Sequence, residues 1–259
     1  MESKVGISNA KRVISEQVQS NRFCVEFNRM LPSSNNMIFV GNAGTGKTTT
    51  AKLFAEMLFS IGVVKSPRVK FIAANELFVQ DVTTKLGEIC KEAMGGILFI
   101  DEIYLLQPRL YLCTEVISVL LDMLENKKED LTIILAGYEQ QMESFLNENQ
   151  GLKSRFPITV HFDDFTEDEL YQIFEQNCAA GGMEIHPGVK ERFLEIIREE
   201  KRKDGFGNGR LVRNIYEQAF RRHAVNYYDQ EGRDPNCITP EDIERLEDVN
   251  KRPSSIGFV

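Results

Sequence analysis

The segment Gly41-Asn42-Ala43-Gly44-Thr45-Gly46-Lys47-Thr48, with Thr49 after it, has the residue types needed to hold a polyphosphate, in the order needed. Glycines at 41, 44 and 46 let the backbone adopt conformations closed to other residues and turn N–H groups toward phosphate oxygens. Lys47 supplies a charge for the terminal phosphates, and the Thr48 hydroxyl is a hard oxygen suited to Mg²⁺. A glycine-rich turn with no ligand is the plain alternative. At a glycine usage of about 7%, the pattern G-x-x-x-x-G-K-T arises by chance in roughly one chain in a hundred of this length. A second set of oxygens stands at Asp101-Glu102, directly after the apolar run Ile97-Leu98-Phe99-Ile100. In P-loop enzymes an Asp at such a strand end holds Mg²⁺, usually through water, and a following Glu can deprotonate the attacking water. Taken alone, the pair reads as well as two solvated acids. Downstream of a phosphate loop the chemical reading is favoured.

These groups need elements to hold them. Met37 to Val40 has strand length and composition, and Thr49 to Phe59 carries apolar residues at helical spacing, so the loop lies between a strand and a helix. That helix stops at Ile61-Gly62. Further strands are expected at Val69–Ala74, Ile97–Ile100, Leu131–Tyr138 and Ile158–Phe162. Between them come a short helix capped by Asn75, a helix from Thr84 to Met94 broken by Gly95-Gly96, and one from Leu112 to Leu124. An opening helical pattern (Ala10, Val13, Ile14, Val18) continues to Leu31, and Pro32 to Asn36 reads as a loop. Alternating strands and helices give an α/β fold with a mostly parallel, helix-covered sheet. From Asp163 the texture turns helical. Thr166-x-x-Glu169 is a capping box opening a helix through Cys178, others follow over Pro187–Lys203 and Leu211–Tyr227, and a last helix starts at Thr239. The expected division is an α/β domain over 1–163 and a small helical domain over 164–259, with a frayed tail from Lys251.

Composition sets outer bounds. The chain has 259 residues, 42% hydrophobic and 27% charged, as in an ordinary soluble globular protein. A net charge of −8 argues against broad, nonspecific nucleic-acid binding. Five cysteines (Cys24, Cys90, Cys113, Cys178, Cys237), odd in number and without a C-x-x-C pair, read as buried free thiols in a reducing compartment. No apolar run reaches the ~20 residues of a membrane span, and the N-terminus lacks a signal-peptide core, so a cytoplasmic protein is expected.

With these residues in hand, the chain resembles the AAA+ ATPases, and among them the CbbX/CfxQ group, which includes stage V sporulation protein K-like ATPases and the ATPase domain of EccA-type proteins. The likeness covers nearly the whole chain. It rests on the phosphate loop, Gly95 to Glu102, Ile134 to Tyr138, Gly151 to Phe156 and Gly207 to Asn214. The resemblance implies a P-loop α/β domain with a helical lid, ATP and Mg²⁺ as ligands, a hexameric ring and a protein client. It matches Arg155 to the arginine finger that reaches the neighbouring subunit's ATP, where a cation stabilises developing charge. It matches Arg210 or Arg213 to the lid arginine of the second sensor, with Arg210 favoured for its place in Gly-Asn-Gly-Arg. Tyr138 falls at the first-sensor position, where many relatives carry Asn, and an ordinary packed tyrosine explains it nearly as well. Val5 and Ile7 match the segment lining the adenine pocket, and core packing explains them equally well.

One departure concerns the segment after the second strand. Relatives carry an aromatic–aliphatic–glycine loop there that grips a threaded peptide, whereas this chain reads Glu76-Leu77-Phe78-Val79-Gln80-Asp81, with Asp81 near the expected aromatic. Two functions therefore stand. One is a ring ATPase that remodels a partner protein, and the other is an ATP-binding regulatory subunit of a mixed ring without threading. A role on DNA is disfavoured by the acidic charge. A Rubisco-activating role belongs to one branch of the group, and no residue read here selects that branch. The likeness begins within a few residues of Met1, which leaves room for a domain of a longer, tandem protein.

Overall fold

The computed structural model describes residues 5–30, 34–126, 130–203, 205–229 and 232–244. The chain divides into two compact units, Met1–Asp164 and Phe165–Val259. In order, the first unit contains α1 (Ser8–Glu26), β1 (Met37–Gly41), α2 (Lys47–Ser60), β2 (Val69–Ala73), α3 (Val82–Ala93), β3 (Ile97–Asp101), α4 (Leu110–Asn126), β4 (Thr132–Gly137), α5 (Glu139–Glu148), the single turn α6 (Gln150–Lys153) and β5 (Ile158–Phe162). Short 3₁₀ turns cover Ala74–Leu77 and Ile103–Leu106.

The five strands form one sheet in the order β2-β3-β4-β1-β5, and every pairing is parallel. Successive strand residues point to opposite faces, and both faces of the central strands β1, β3 and β4 are buried. Ile38, Val40, Leu98, Ile100, Ile133 and Leu135 pack on one side with residues of α3, α4 and α5. Met37, Phe39, Ile97, Phe99, Ile134, Ala136, Val160 and Phe162 pack on the other with residues of α1 and α2. This double burial is why β1, β3 and β4 read as unbroken apolar runs, whereas the edge strand β5 alternates, with Thr159 and His161 exposed.

Several boundaries differ from the sequence reading for local physical reasons. α1 ends at Glu26 instead of running to Leu31, which lies outside the described residues. Asn28 turns left-handed (φ 48°), while the Asn28 N–H donates to Val25 O (3.3 Å) and the Arg29 N–H to Cys24 O (2.7 Å), a Schellman closure built on asparagine. Asn75 is not a helix cap; it lies inside the first 3₁₀ turn, where the Glu76 carboxylate accepts from the Ala73 N–H (2.8 Å). The next helix, α3, has its own cap in Asp81, whose carboxylate accepts from the Thr84 N–H (3.1 Å), and it starts two residues earlier than expected.

The second unit holds α7 (Glu167–Ala180), β6 (Glu184–Ile185), α8 (Val189–Glu200), α9 (Asn208–Asp229) and β7 (Cys237–Ile238). Thr166 and Glu169 form the expected capping box, with the Thr166 N–H donating to Glu169 (2.8 Å) and the Glu169 N–H to the Thr166 hydroxyl (3.3 Å). β6 and β7 add a two-residue parallel pairing among the helices. From Thr239 the structure shows only one 3₁₀ turn, Pro240–Asp242, and Ile243 after it is extended, so the expected last helix does not start at Thr239; residues from 245 on lie outside the described ones. All five cysteines are free thiols, four of them buried, and burial pushes Cys90 up to about 11 and Cys178 up to about 12. Among the described residues no helix is long and apolar enough to cross a membrane.

Candidate functional site

The phosphate loop leaves β1 at Gly41 and enters α2 at Lys47. Gly41 has φ 148°, and a Cβ there would stand 2.3 Å from the Phe162 carbonyl oxygen of β5. No other residue fits this crossing. Gly44 (φ 73°) and Gly46 (φ 96°) are also in the region glycine favours, and Gly46 is the N-cap of α2. The buried Thr45 donates its hydroxyl to Asn42 O (2.8 Å), closing the loop, and Ala43 and Gly44 are half-buried along it. Asn42 ties the loop to the chain beyond β5 by donating Nδ2 to both Asp164 oxygens (2.9 and 3.1 Å). Lys47 Nζ donates to the Gly41 (2.7 Å) and Asn42 (2.8 Å) carbonyls, so its ammonium lies over the loop. Thr48 and Thr49 are exposed in the first turn of α2. The glycine-rich backbone thus turns between β1 and α2 with a cation and hydroxyls at its edge, and these residues fit a nucleotide phosphate chain.

Asp101 is brought to the same edge by the sheet. It ends β3 half-buried, in register with Ala73 on β2 and Ala136 on β4. Both of these neighbours are small. β3 and β1 are separated only by β4, so Asp101 stands roughly 10 Å from the loop at ordinary strand spacing. Thr48 and Asp101 are hard oxygen donors of the kind Mg²⁺ takes beside a phosphate. Glu102 follows with a left-handed backbone (φ 54°), its N–H donating to Ala136 O (2.8 Å). This turn carries the Glu102 side chain off the strand line and onto the carboxyl edge. Tyr138 is also there, half-buried at the start of α5 directly after Gly137, which pairs with Val40. The topology therefore places Tyr138 between the phosphate loop and the two acids.

Near the loop, Ile7 packs on Gly46, its Cγ2 3.7 Å from where a Cβ would be, while Val5 is half-buried. Arg155 is elsewhere. It precedes β5, its carbonyl accepts from the Ser34 hydroxyl (3.4 Å), and Ser34 lies just before β1. Both strands therefore run away from it toward the phosphate loop. Its guanidinium donates to Gly151 O (3.2 Å) and Ser154 Oγ (3.0 Å) and pairs with Glu125 on α4. Arg210 and Arg213 are exposed in the first turns of α9.

Two features escaped the sequence reading. Asp164, which holds Asn42, carries no local signal because its partner lies far away in sequence. Tyr104 donates its hydroxyl to Glu102 Oε1 (3.4 Å) from within the second 3₁₀ turn. Its position two residues after the key glutamate was the one available hint. In the segment after β2, Phe78 packs against the core with the Arg109 guanidinium 3.8 Å above its ring, and Val79 is the exposed apolar side chain.

A model of the ATPase family associated with various cellular activities (AAA) matches residues 37–164, and a model of the AAA lid domain matches residues 166–253. A CfxQ homolog of Galdieria sulphuraria is 34% identical over 236 residues, covering 87% of this chain and 76% of that protein. The chloroplastic ribulose bisphosphate carboxylase/oxygenase activase of Cyanidioschyzon merolae is 35% identical over 213 residues, covering 78% and 72%. The chromosomal CbxX protein of Cupriavidus necator is 36% identical over 206 residues, covering 77% and 65%. Among solved structures, the Thermotoga maritima RuvB Holliday junction branch migration motor aligns with a TM-score of 0.65 at 20% identity, over 92% of this chain and 67% of that one. The FIGL-1 AAA domain aligns with 0.65 at 18% identity, over 94% and 83%. These two share the fold.

Proposed function

Since the chain belongs to the CfxQ/CbbX group of AAA+ ATPases, we propose that it hydrolyses ATP within a hexameric ring and uses the hydrolysis to remodel a partner protein. Lys47 and the loop N–H groups hold the phosphates, assisted by the positive end of α2. Thr48 and Asp101 would hold Mg²⁺, which when bound neutralises charge on the phosphates. Glu102 takes a proton from the water that attacks the terminal phosphorus, the bond to the bridging oxygen breaks, and ADP and phosphate leave. Tyr138 carries the first-sensor role from its place between loop and acids, and Ile7 with Val5 lines the base pocket. In the lid unit we assign Arg210, ahead of Arg213, to reporting the nucleotide state. Free thiols throughout suit a reducing compartment such as the cytoplasm.

The observation that carries the ring is the position of Arg155. It is the family's finger residue by motif, yet it stands at the amino end of β5 while every phosphate-binding group stands at the carboxyl ends. It is useless to its own site and available to a neighbour's. Turnover per subunit should therefore climb with protein concentration and level off as rings fill. A rate independent of concentration overturns the ring.

A second reading is favoured by the segment after β2. Asp81 is committed to capping α3, where hydrogen bonds from Thr84 hold its carboxyl below the usual range, and Phe78 is covered by Arg109. With no exposed aromatic described in that segment, the chain would instead be the ATP-binding regulatory subunit of a mixed ring. Adding an unfolded polypeptide separates the two, because only a remodelling ring should speed up its turnover.

A further inference from the structure

We infer that Tyr104 is a positioning residue for Glu102, holding one carboxylate oxygen so that the other faces the water to be activated. The inference rests on the proposed role of Glu102 as the base. A glutamate side chain has three rotatable bonds, so a well-fixed backbone does not by itself aim its carboxylate. The Glu102 backbone is fixed twice, by its N–H to Ala136 O (2.8 Å) and by its carbonyl accepting the Leu105 N–H (2.9 Å). Only Tyr104, among the hydrogen bonds described, reaches the carboxylate itself, with its hydroxyl 3.4 Å from Oε1. That is longer than the ~2.6 Å of a full hydroxyl–carboxylate bond.

The tyrosine ring is held by a different motif. A Cβ on Gly137 would stand 2.7 Å from Tyr104 Cε1, so Gly137 lacks a side chain where the ring lies. The Tyr138 ring flanks it with centroids 6.4 Å apart. Gly137 closes β4 between the phosphate loop and Asp101, with Tyr138 directly after it, so Tyr104 ties the aim of Glu102 to the strand end that borders both. Burial first, and then the negative charge of Glu102, hold the phenol well above its ordinary range, which keeps the hydroxyl a donor.

Simple core filling is the competing role, and Tyr104→Phe separates the two because it keeps the ring against Gly137 and removes only the donor. The expected result is turnover at saturating ATP lowered by about tenfold, the scale of one hydrogen bond to a charged group. The Michaelis constant and directly measured nucleotide affinity should stay as in the parent. In a Glu102→Gln background the same change should cost nothing further in single-turnover hydrolysis. In nucleotide-free protein the melting shifts of the two single variants should fail to add. Parent-level turnover in Tyr104→Phe, an equal loss in the Glu102→Gln background, or weakened nucleotide binding each overturns the assignment. Glu102→Gln alone is the separate control. If it hydrolyses ATP like the parent, Glu102 is not the base, and the role of Tyr104 falls with it.

Discussion

Replacing Arg155 with alanine tests the shared site most directly. Five residues of β5 at about 3.3 Å each place the far end of that strand, where Phe162 meets Gly41, roughly 15 Å beyond its start, and Arg155 lies further back still. No side chain spans that distance, so any effect of Arg155 on hydrolysis passes to a neighbour. If it supplies a cation to the transition state, Arg155→Ala should lower turnover by about a hundredfold or more and leave ATP affinity intact. Glu102→Gln should be as inactive, but for a defect in the subunit that holds the nucleotide.

Mixing the two inactive variants then gives a number. In a head-to-tail ring each site takes Glu102 from one subunit and Arg155 from the next. With equal, random mixing, half the nucleotide-holding subunits carry Glu102 and half of their neighbours carry Arg155, so about a quarter of the sites are whole. Turnover should rise from near zero to about that fraction of the parent rate. If Arg155 served its own subunit, no mixture would contain an intact site. A mixture as inactive as its components, with mixed rings shown to form, refutes the reasoning. So does an Arg155→Ala variant that hydrolyses ATP normally by itself.

Three further expectations follow from particular contacts. The ion pair between Arg155 and Glu125 has side chains 36% and 59% exposed, and such a pair is worth at most about 1 kcal/mol; Glu125→Gln should free the finger and raise turnover below ring-filling concentrations by no more than about fivefold. Gly41→Ala would set a Cβ 2.3 Å from the Phe162 carbonyl at φ 148°, so it should lower the melting temperature, cost about 2–4 kcal/mol, and abolish binding of a fluorescent nucleotide. In the lid unit, burial would push Asp242 up, but the Thr239 N–H and the side chains of Asn226, His223 and Arg233 outweigh it and hold the carboxyl below its usual range. Its stabilising charge is then present above the unfolded value near 4 and lost as pH falls through the lower folded one. Asp242→Asn should therefore cost about 3–5 kcal/mol at pH 7, and melting curves of variant and parent should converge in acid.

How legible the site was depends on how local each rule is. The phosphate loop could be read because its glycine demands, lysine and following helix lie within one stretch. Asp101 could be read because a strand buried on both faces leaves an unbroken apolar run that ends at it. The end of α1 could not, since apolar spacing continues past Asn28 and only the left-handed turn there stops the helix. The capping role of Asp81 went unread because the segment was compared with an aromatic loop, whereas its carboxylate caps α3. Helix α5 went unread because a largely polar ten-residue segment hides three buried residues, Met142, Phe145 and Leu146, that matter only once β4 and α4 are in place. Tyr104 required the register of β4 to be known before its ring could be set against Gly137.

The same parallel arrangement that gathers the phosphate loop and the acids sets Arg155 apart from them. With all five strands pointing one way, every loop after a strand opens on one edge of the sheet and every entry to a strand on the other. Phosphate loop, Asp101, Glu102 and Tyr138 follow strands and are gathered by that rule. Arg155 precedes one and is excluded by it. A cation placed on the wrong edge of its own subunit can meet a phosphate only if subunits pack head to tail, edge against edge. On the proposed ring, closure of such packing would make every site depend on two chains, and hydrolysis a property of assembly rather than of the fold alone.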